Sequence, residues 1–368
     1  VPNARFDRAA WPFGVALLIA GVTRLYLPFD GLYGQDAFAY FRFARAIWPH
    51  LLHGAPLPEL FWPRGYPAAV AALLPATGGG PFAGQLVSAL ATAWAAAATF
   101  LLGRELDRRR APANDSTARV VAGLCVATSG IVLRTGQVVM ADGLAIGLAA
   151  TVLWCFARFL RERRGLWLVG CAILLAWGAV TRWQIGLLAL PLAAAAVIDQ
   201  RARPTPAPWG WWAFAAAAGL AVLLPQLVAA HHVPHAFEQH EWLQRWNPLN
   251  AVRRDFDDSE AHFRYRFPVG IFYLLRLGWP DALFPTVAAL AAVGAWALIG
   301  ERRGVELALL VGWVLVTVVF ISGIPYENPR FVWPSLPAIG ALAGIGCRTV
   351  RQRLPERRRW LLTLLLAV

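Results

Sequence analysis

Asp36, in the stretch YGQDAFAY, is a carboxylate that follows directly on the first long apolar run, residues 12–29. An ionisable group at the mouth of an apolar bundle is expensive and marks catalysis, transport or binding. A carboxylate placed there can take the proton of an attacking hydroxyl, so Asp36 is a candidate general base. Glu59, in PLPELFWPRGYP, is a second carboxylate near the same surface, followed by Arg64 and Tyr66. Arg64, Arg182 and Arg330 each sit beside an apolar stretch, and guanidinium groups grip phosphate or pyrophosphate through paired hydrogen bonds. Asp142 opens one apolar stretch and Arg182 with Gln184 opens another, where free backbone N–H groups would also face an anion. Each choice has a plain structural counterpart: interfacial snorkelling for each arginine, pairing with Arg42 for Asp36, and helix capping or pairing with Arg134 for Asp142.

Such groups need a frame that brings them to one level. Of 368 residues, 58% are hydrophobic and 15% charged, a balance typical of chains that live in a bilayer. Apolar stretches near crossing length recur at 12–29, 80–103, 119–134, 137–159, 165–180, 183–199, 209–229, 281–299, 305–321 and 331–346, and another starts near Trp360. The expected fold is all-α, a polytopic transmembrane bundle of about 11 spans forming one domain over residues 1–368. The last stretch supplies too few residues to cross before the chain ends. No small-residue cleavage pattern follows the first stretch, so it reads as a retained helix and not a signal peptide.

Charge sets the expected sides. All 34 basic residues are arginine and the formal net charge is +13. With the N-terminus in the cytoplasm, the connectors at 104–110, 161–164, 201–203, 301–303 and 348–359 are cytoplasmic, and all are basic, as the positive-inside rule requires. Phospholipid, not nucleic acid, is then the partner of the arginines, and the expected location is a bacterial inner membrane with the site on the external face. The absence of lysine excludes a Schiff-base or P-loop lysine. Cys125, Cys155, Cys171 and Cys347 lie in apolar stretches without ligand spacing and read as small hydrophobes.

Two long connectors fall on the Asp36 side, residues 30–79 and 231–280. In the first, the spacing over 37–54 predicts an interfacial helix with Tyr40, Phe41, Ala44 and Trp48 on one apolar face. The second carries five of the seven histidines. His231, His232, His235 and His240 stand near Glu238 and Glu241, but Pro234 interrupts helical placement and no HExxH pattern occurs. No metal ligand set is assigned; His235 or Glu238 is compatible with a divalent cation.

Taken together, YGQDAFAYFRFAR, FWPRGYPAAVAALLP, GQVVMADGLAIGLAA, TRWQIGLLALPL and ENPRFVWPSLPAIGALAG resemble, in order and spacing, the GT-C superfamily of integral-membrane glycosyltransferases. The likeness covers most of the chain and lies near the protein mannosyltransferases and the aminoarabinose transferase acting on lipid A. It implies an inverting enzyme that moves sugar from a polyprenyl-phosphate carrier to a lipid, glycan or protein acceptor. It gives Asp36 the role of base or acceptor-positioning group, offers Glu59 as a second carboxylate, and links Arg330 with carrier phosphate. Two departures stand out: Gln35 precedes Asp36 where many relatives carry paired acids, and Phe331 replaces a common tyrosine. The competing readings are a transporter of lipid-linked oligosaccharide or another anionic solute, and a noncatalytic assembly subunit. The concentration of charge at span ends, without duplicated halves, favours the enzyme.

Overall fold

The computed structural model describes residues 10–60, 62–107, 116–203, 208–231, 241–257, 262–279 and 283–358. Its helices are α1 (Ala10–Tyr26), α2 (Gly34–His53), α3 (Gly65–Leu73), α4 (Phe82–Asp107), α5 (Thr117–Ala127), α6 (Gly130–Thr135), α7 (Ala141–Glu162) and α8 (Gly165–Thr181). They continue as α9 (Ala189–Arg201), α10 (Trp209–His231), α11 (Glu241–Gln244), α12 (Val269–Arg276), α13 (Pro285–Gly300), α14 (Gly304–Glu306), α15 (Gly312–Ser322) and α16 (Leu336–Arg353). One small hairpin pairs β1 (Asp255–Asp257) with β2 (His262–Arg264).

Runs of alanine and leucine make α4 and α7 strong helix formers, and they form the buried centre of the bundle. The two run side by side in the same direction: a Cβ on Gly143 would meet Ser88, and one on Gly147 would meet the Ala91 carbonyl. Without a hydrophobic drive between helices in lipid, such close backbone approach provides the packing. The contact of α13 with α16 uses the same device. A Cβ on Gly294 would strike the Leu342 carbonyl, and one on Gly346 would strike the Leu290 carbonyl.

Five helical stretches are long and apolar enough to cross a membrane: Phe82–Asp107, Ala141–Glu162, Trp183–Arg201, Trp209–His231 and Gly304–Ser322. The shorter apolar helices Ala10–Tyr26, Thr117–Ala127, Gly165–Thr181 and Pro285–Gly300 complete the bundle. The chain is therefore an all-α polytopic membrane protein. The stretch expected from Trp360 lies outside the described residues.

Several expected boundaries are corrected. The stretch at 119–134 breaks between α5 and α6, where Ser129 caps the second piece by accepting from the Val132 N–H at 3.3 Å. The stretches from 183 and from 331 do not start as α-helix; tight 3-10 turns at Trp183–Leu188 and Pro329–Ser335 precede α9 and α16. The helix over 37–54 is present as α2, but it buries Ala37, Tyr40, Phe43 and Ala44 and leaves Phe38 and Trp48 exposed.

The connector at 104–110 is also not a simple solvated run. Residues 104–107 continue α4, and Arg104, Glu105 and Asp107 are buried. Glu105 pairs with Arg161 of α7 at 2.9 Å, and Asp107 pairs with Arg348 of α16. Arg303 donates to the Leu106 carbonyl and to Glu306, both at 3.0 Å. One end of the bundle is thus tied by charge from four parts of the chain. Asp107→Ala leaves the Arg348 guanidinium buried and unmatched, a loss of about 3–5 kcal/mol. Thermal unfolding of the detergent-solubilised protein should show that loss, with Asp107→Leu, Arg348→Leu recovering most of it. Equal loss in the single and double variants would contradict an ion-pair origin.

Candidate active site

At the opposite end of α4 and α7, the chain before α2 is fastened to the bundle. Gly31 has φ +86 and passes so close to Gln85 that a Cβ would collide with that side chain. Its carbonyl accepts from the Val139 N–H at 2.9 Å. Gln85 donates to the carbonyls of Phe29 at 2.8 Å and Gln137 at 2.9 Å. These ties set the start of α2, whose first turn carries Asp36. Tyr40, one turn on, is buried and packs edge-on against Tyr66 with ring centroids 5.4 Å apart.

Four charged side chains from four segments meet here. Asp142, in the first turn of α7, is only 2% exposed. Arg330 donates to Asp142 Oδ2 through Nε at 3.1 Å and approaches the same oxygen through Nη2 at 3.0 Å. Arg182, between α8 and the next turn, pairs with the other Asp142 oxygen. The remaining arm of Arg330, Nη1, lies 3.6 Å from Asp36 Oδ2. Trp62 donates its indole N–H to Asp36 Oδ1 at 3.1 Å. Burial, and then the positive charge of Arg330, push the Arg182 pKa down to about 9, so it remains protonated at neutral pH. Two guanidinium groups this near each other need both carboxylates.

The turn that presents Arg330 is equally determined. Asn328 caps it by accepting from the Arg330 N–H at 3.1 Å, and Pro329 occupies the first position of the turn. Gln184 donates to the Phe331 carbonyl at 2.6 Å, and Arg182 lies over the Phe331 ring, 5.4 Å from its centroid. The ring that replaces the common tyrosine therefore seats one of the arginines.

Of the residues singled out by sequence, Asp36, Asp142, Arg182 and Arg330 come together, with Gln184 supporting the Arg330 turn. Asp142 pairs with Arg182 and Arg330 and not with Arg134, and Asp36 is held by Trp62 and Arg330 instead of Arg42. Tyr66 is fully buried, with its hydroxyl donating to the Gly84 carbonyl at 3.0 Å and lying 3.1 Å from Ser88 Oγ, and its ring packs against Tyr40. Glu59 is exposed and makes no ion pair or hydrogen bond among the described residues. Arg64 stacks on Phe43 at 5.3 Å and its backbone N–H donates to Gln226 at 3.0 Å; burial lowers its pKa. Trp62, Asn328, Tyr273 and Glu327 escaped the sequence reading, although Glu327 and Asn328 stand in the same ENPRF stretch as Arg330. Among the described residues no group of histidine, cysteine, aspartate and glutamate could hold a metal ion. His232, His235, His240 and Glu238 lie outside those residues.

The fold is similar to those of known structures. ArnT from Cupriavidus metallidurans bound to undecaprenyl phosphate superposes with a TM-score of 0.68 at 20% identity, over 98% of this chain and 63% of that one. The apo Archaeoglobus fulgidus oligosaccharyltransferase superposes with a TM-score of 0.60 at 13% identity, over 97% of this chain and 52% of that one. This chain has the GT-C fold. It spans less than two thirds of the length of either structure. The family described as dolichyl-phosphate-mannose-protein mannosyltransferase matches residues 66–228, less than half of the chain. No curated protein matches in sequence.

Glu327 adds a titrating group beside that cluster. Its Oε1 is buried without a hydrogen-bond partner among the described residues, and burial raises its pKa from 4.5 to about 7, partly offset by Arg276. A carboxyl raised in the folded state stabilises that state below its unfolded value and loses the contribution as pH rises through the folded one. Relative to Glu327→Gln, the protein should lose thermal stability as pH rises from about 4.5 to about 7. Parallel melting curves over that range would contradict the assignment.

Proposed function

We propose that this protein is an inverting glycosyltransferase that moves a sugar from a polyprenyl-phosphate carrier to an acceptor hydroxyl at the membrane surface. The observation that carries this reading is the position of Arg330, fixed on buried Asp142 with one arm turned to Asp36. Asp36 serves as general base. It takes the proton of the acceptor hydroxyl while that oxygen bonds to the anomeric carbon. The bond from that carbon to the carrier phosphate breaks on the opposite face. Negative charge then grows on the leaving phosphate, where Arg330 and Arg182 stabilise it.

Asp36 and Arg330 are 3.6 Å apart, too near for a sugar ring to lie between them. Donor binding therefore opens that contact, and the phosphate replaces Asp36 as the partner of the free Arg330 arm. Asp142 holds the other two donors and keeps the guanidinium aimed during the exchange. The cluster balances two arginines with two carboxylates, so an arriving phosphate brings the negative charge that releases Asp36 for catalysis.

The chemistry places no demand on the sugar's identity, and the acceptor is a lipid, glycan or protein hydroxyl. The proposed setting is a bacterial inner membrane with this end external, where a lipid-linked donor is available without a nucleotide sugar.

Asp36→Asn should bind polyprenyl-phosphate sugar with near-normal affinity and lose about 100- to 10,000-fold in transfer rate, the range for removal of a positioned base. Arg330→Ala should weaken the carrier by about tenfold or more in direct titration, as expected for a charge-assisted hydrogen bond. Unimpaired transfer by the first variant, or unchanged affinity in the second, would contradict the respective role.

A further inference from the structure

We propose that Tyr273 is a positioning residue for Arg330, through which the second polar loop sets the phosphate end of the site. This rests on the phosphate role of Arg330 proposed above. Tyr273 stands on α12 within that loop and is fully buried. Its phenol donates to the Tyr326 carbonyl at 2.8 Å and accepts from the Asn328 N–H at 3.2 Å. One hydroxyl thus holds the backbone on both sides of Glu327.

The connection to the site is short. The Asn328 whose N–H is held by Tyr273 uses its own side chain to cap the Arg330 N–H at 3.1 Å. Only Pro329 separates the residue whose amide the phenol holds from the arginine that bridges Asp142 and Asp36. From the other side, Gln184 holds the Phe331 carbonyl. The Arg330 turn is therefore clamped between a loop residue and a residue of the bundle.

The loop is also anchored well upstream of Tyr273, at Trp246, Asn247 and Asn250. Trp246 donates its indole N–H to the Phe320 carbonyl at 2.8 Å, and Asn250 donates to the Gly323 carbonyl at 2.8 Å. The Asn247 N–H donates to the same Gly323 carbonyl at 3.0 Å. Gly323 has no side chain because the Trp246 ring fills that space; a Cβ would lie 2.3 Å from its nitrogen. The loop is thus fixed to the end of α15 by Trp246, Asn247 and Asn250, and to the ENPRF turn by Tyr273. A displacement of α12 changes the geometry of the turn, and with it the reach of Arg330.

A buried tyrosine that only fills space would affect stability without affecting how phosphate is held. A double-mutant cycle separates the two cases. The full chain is purified in detergent and titrated with undecaprenyl phosphate. Tyr273→Phe, which keeps the ring and removes only the hydroxyl, should weaken binding about three- to tenfold, the effect of one hydrogen bond. Added to Arg330→Ala, it should cause no further loss, because its action runs through that arginine. Should Tyr273→Phe fail to fold, Asn328→Ala breaks the next link and should give the same loss and the same non-additivity. Normal affinity in the folded variant, or a loss that adds fully to that of Arg330→Ala, overturns the positioning role alone. Normal affinity in Arg330→Ala overturns the phosphate reading, and the inference with it.

Discussion

A carboxylate as deeply buried as Asp142 is tolerable only when its charge is met in place, and two arginines from distant parts of the chain meet it. That requirement organises the whole site end of the bundle. It draws the end of α8 and the turn before α16 onto the start of α7. It also leaves Arg330 with one arm free of Asp142, and that arm reaches Asp36 on α2. Three helical layers are thus registered to one another by a single buried anion. A reactive centre gains from this, because preorganised charge need not be rearranged when the leaving group departs.

The far end of the bundle is built on the same principle for a different purpose. Glu105 and Asp107 of α4 are matched by Arg161 and Arg348, and Arg303 reaches the Leu106 carbonyl. Those groups face each other as ion pairs between helices. At the site end the matching is looser: Asp36 and Arg330 meet at 3.6 Å and both are partly exposed. Close glycine contacts between α4 and α7, and between α13 and α16, hold the two ends at a fixed separation.

Much of this was legible in the sequence because membrane chains advertise their helices. Uninterrupted apolar stretches located the bundle, and Asp36, Asp142, Arg182 and Arg330 stood out as charged residues at the ends of those stretches. Pairing was not legible. Asp142 had two plausible local explanations, capping and pairing with Arg134, and only the fold brings residue 330 to residue 142. Trp62 was hidden because an indole near an interface is ordinarily a headgroup anchor, and here it is a donor to Asp36. The contrast between Tyr66 and Glu59 was hidden as well: proximity in sequence to FWPRGYP gives no sign that the Tyr66 ring is buried and Glu59 exposed. RELD read as part of a basic connector, and nothing in its sequence signals that each charge has a partner on another helix or beside it.

The account turns on the exchange of one contact: phosphate takes the Arg330 arm that Asp36 holds in the free protein. The most direct measurement is an experimental structure with a non-transferable polyprenyl-phosphate sugar bound. The account predicts phosphate oxygens within hydrogen-bond distance of Arg330, the sugar between that phosphate and Asp36, and the contact between Asp36 and Arg330 opened. A donor bound with its phosphate away from Arg330, and with that contact intact, would contradict it.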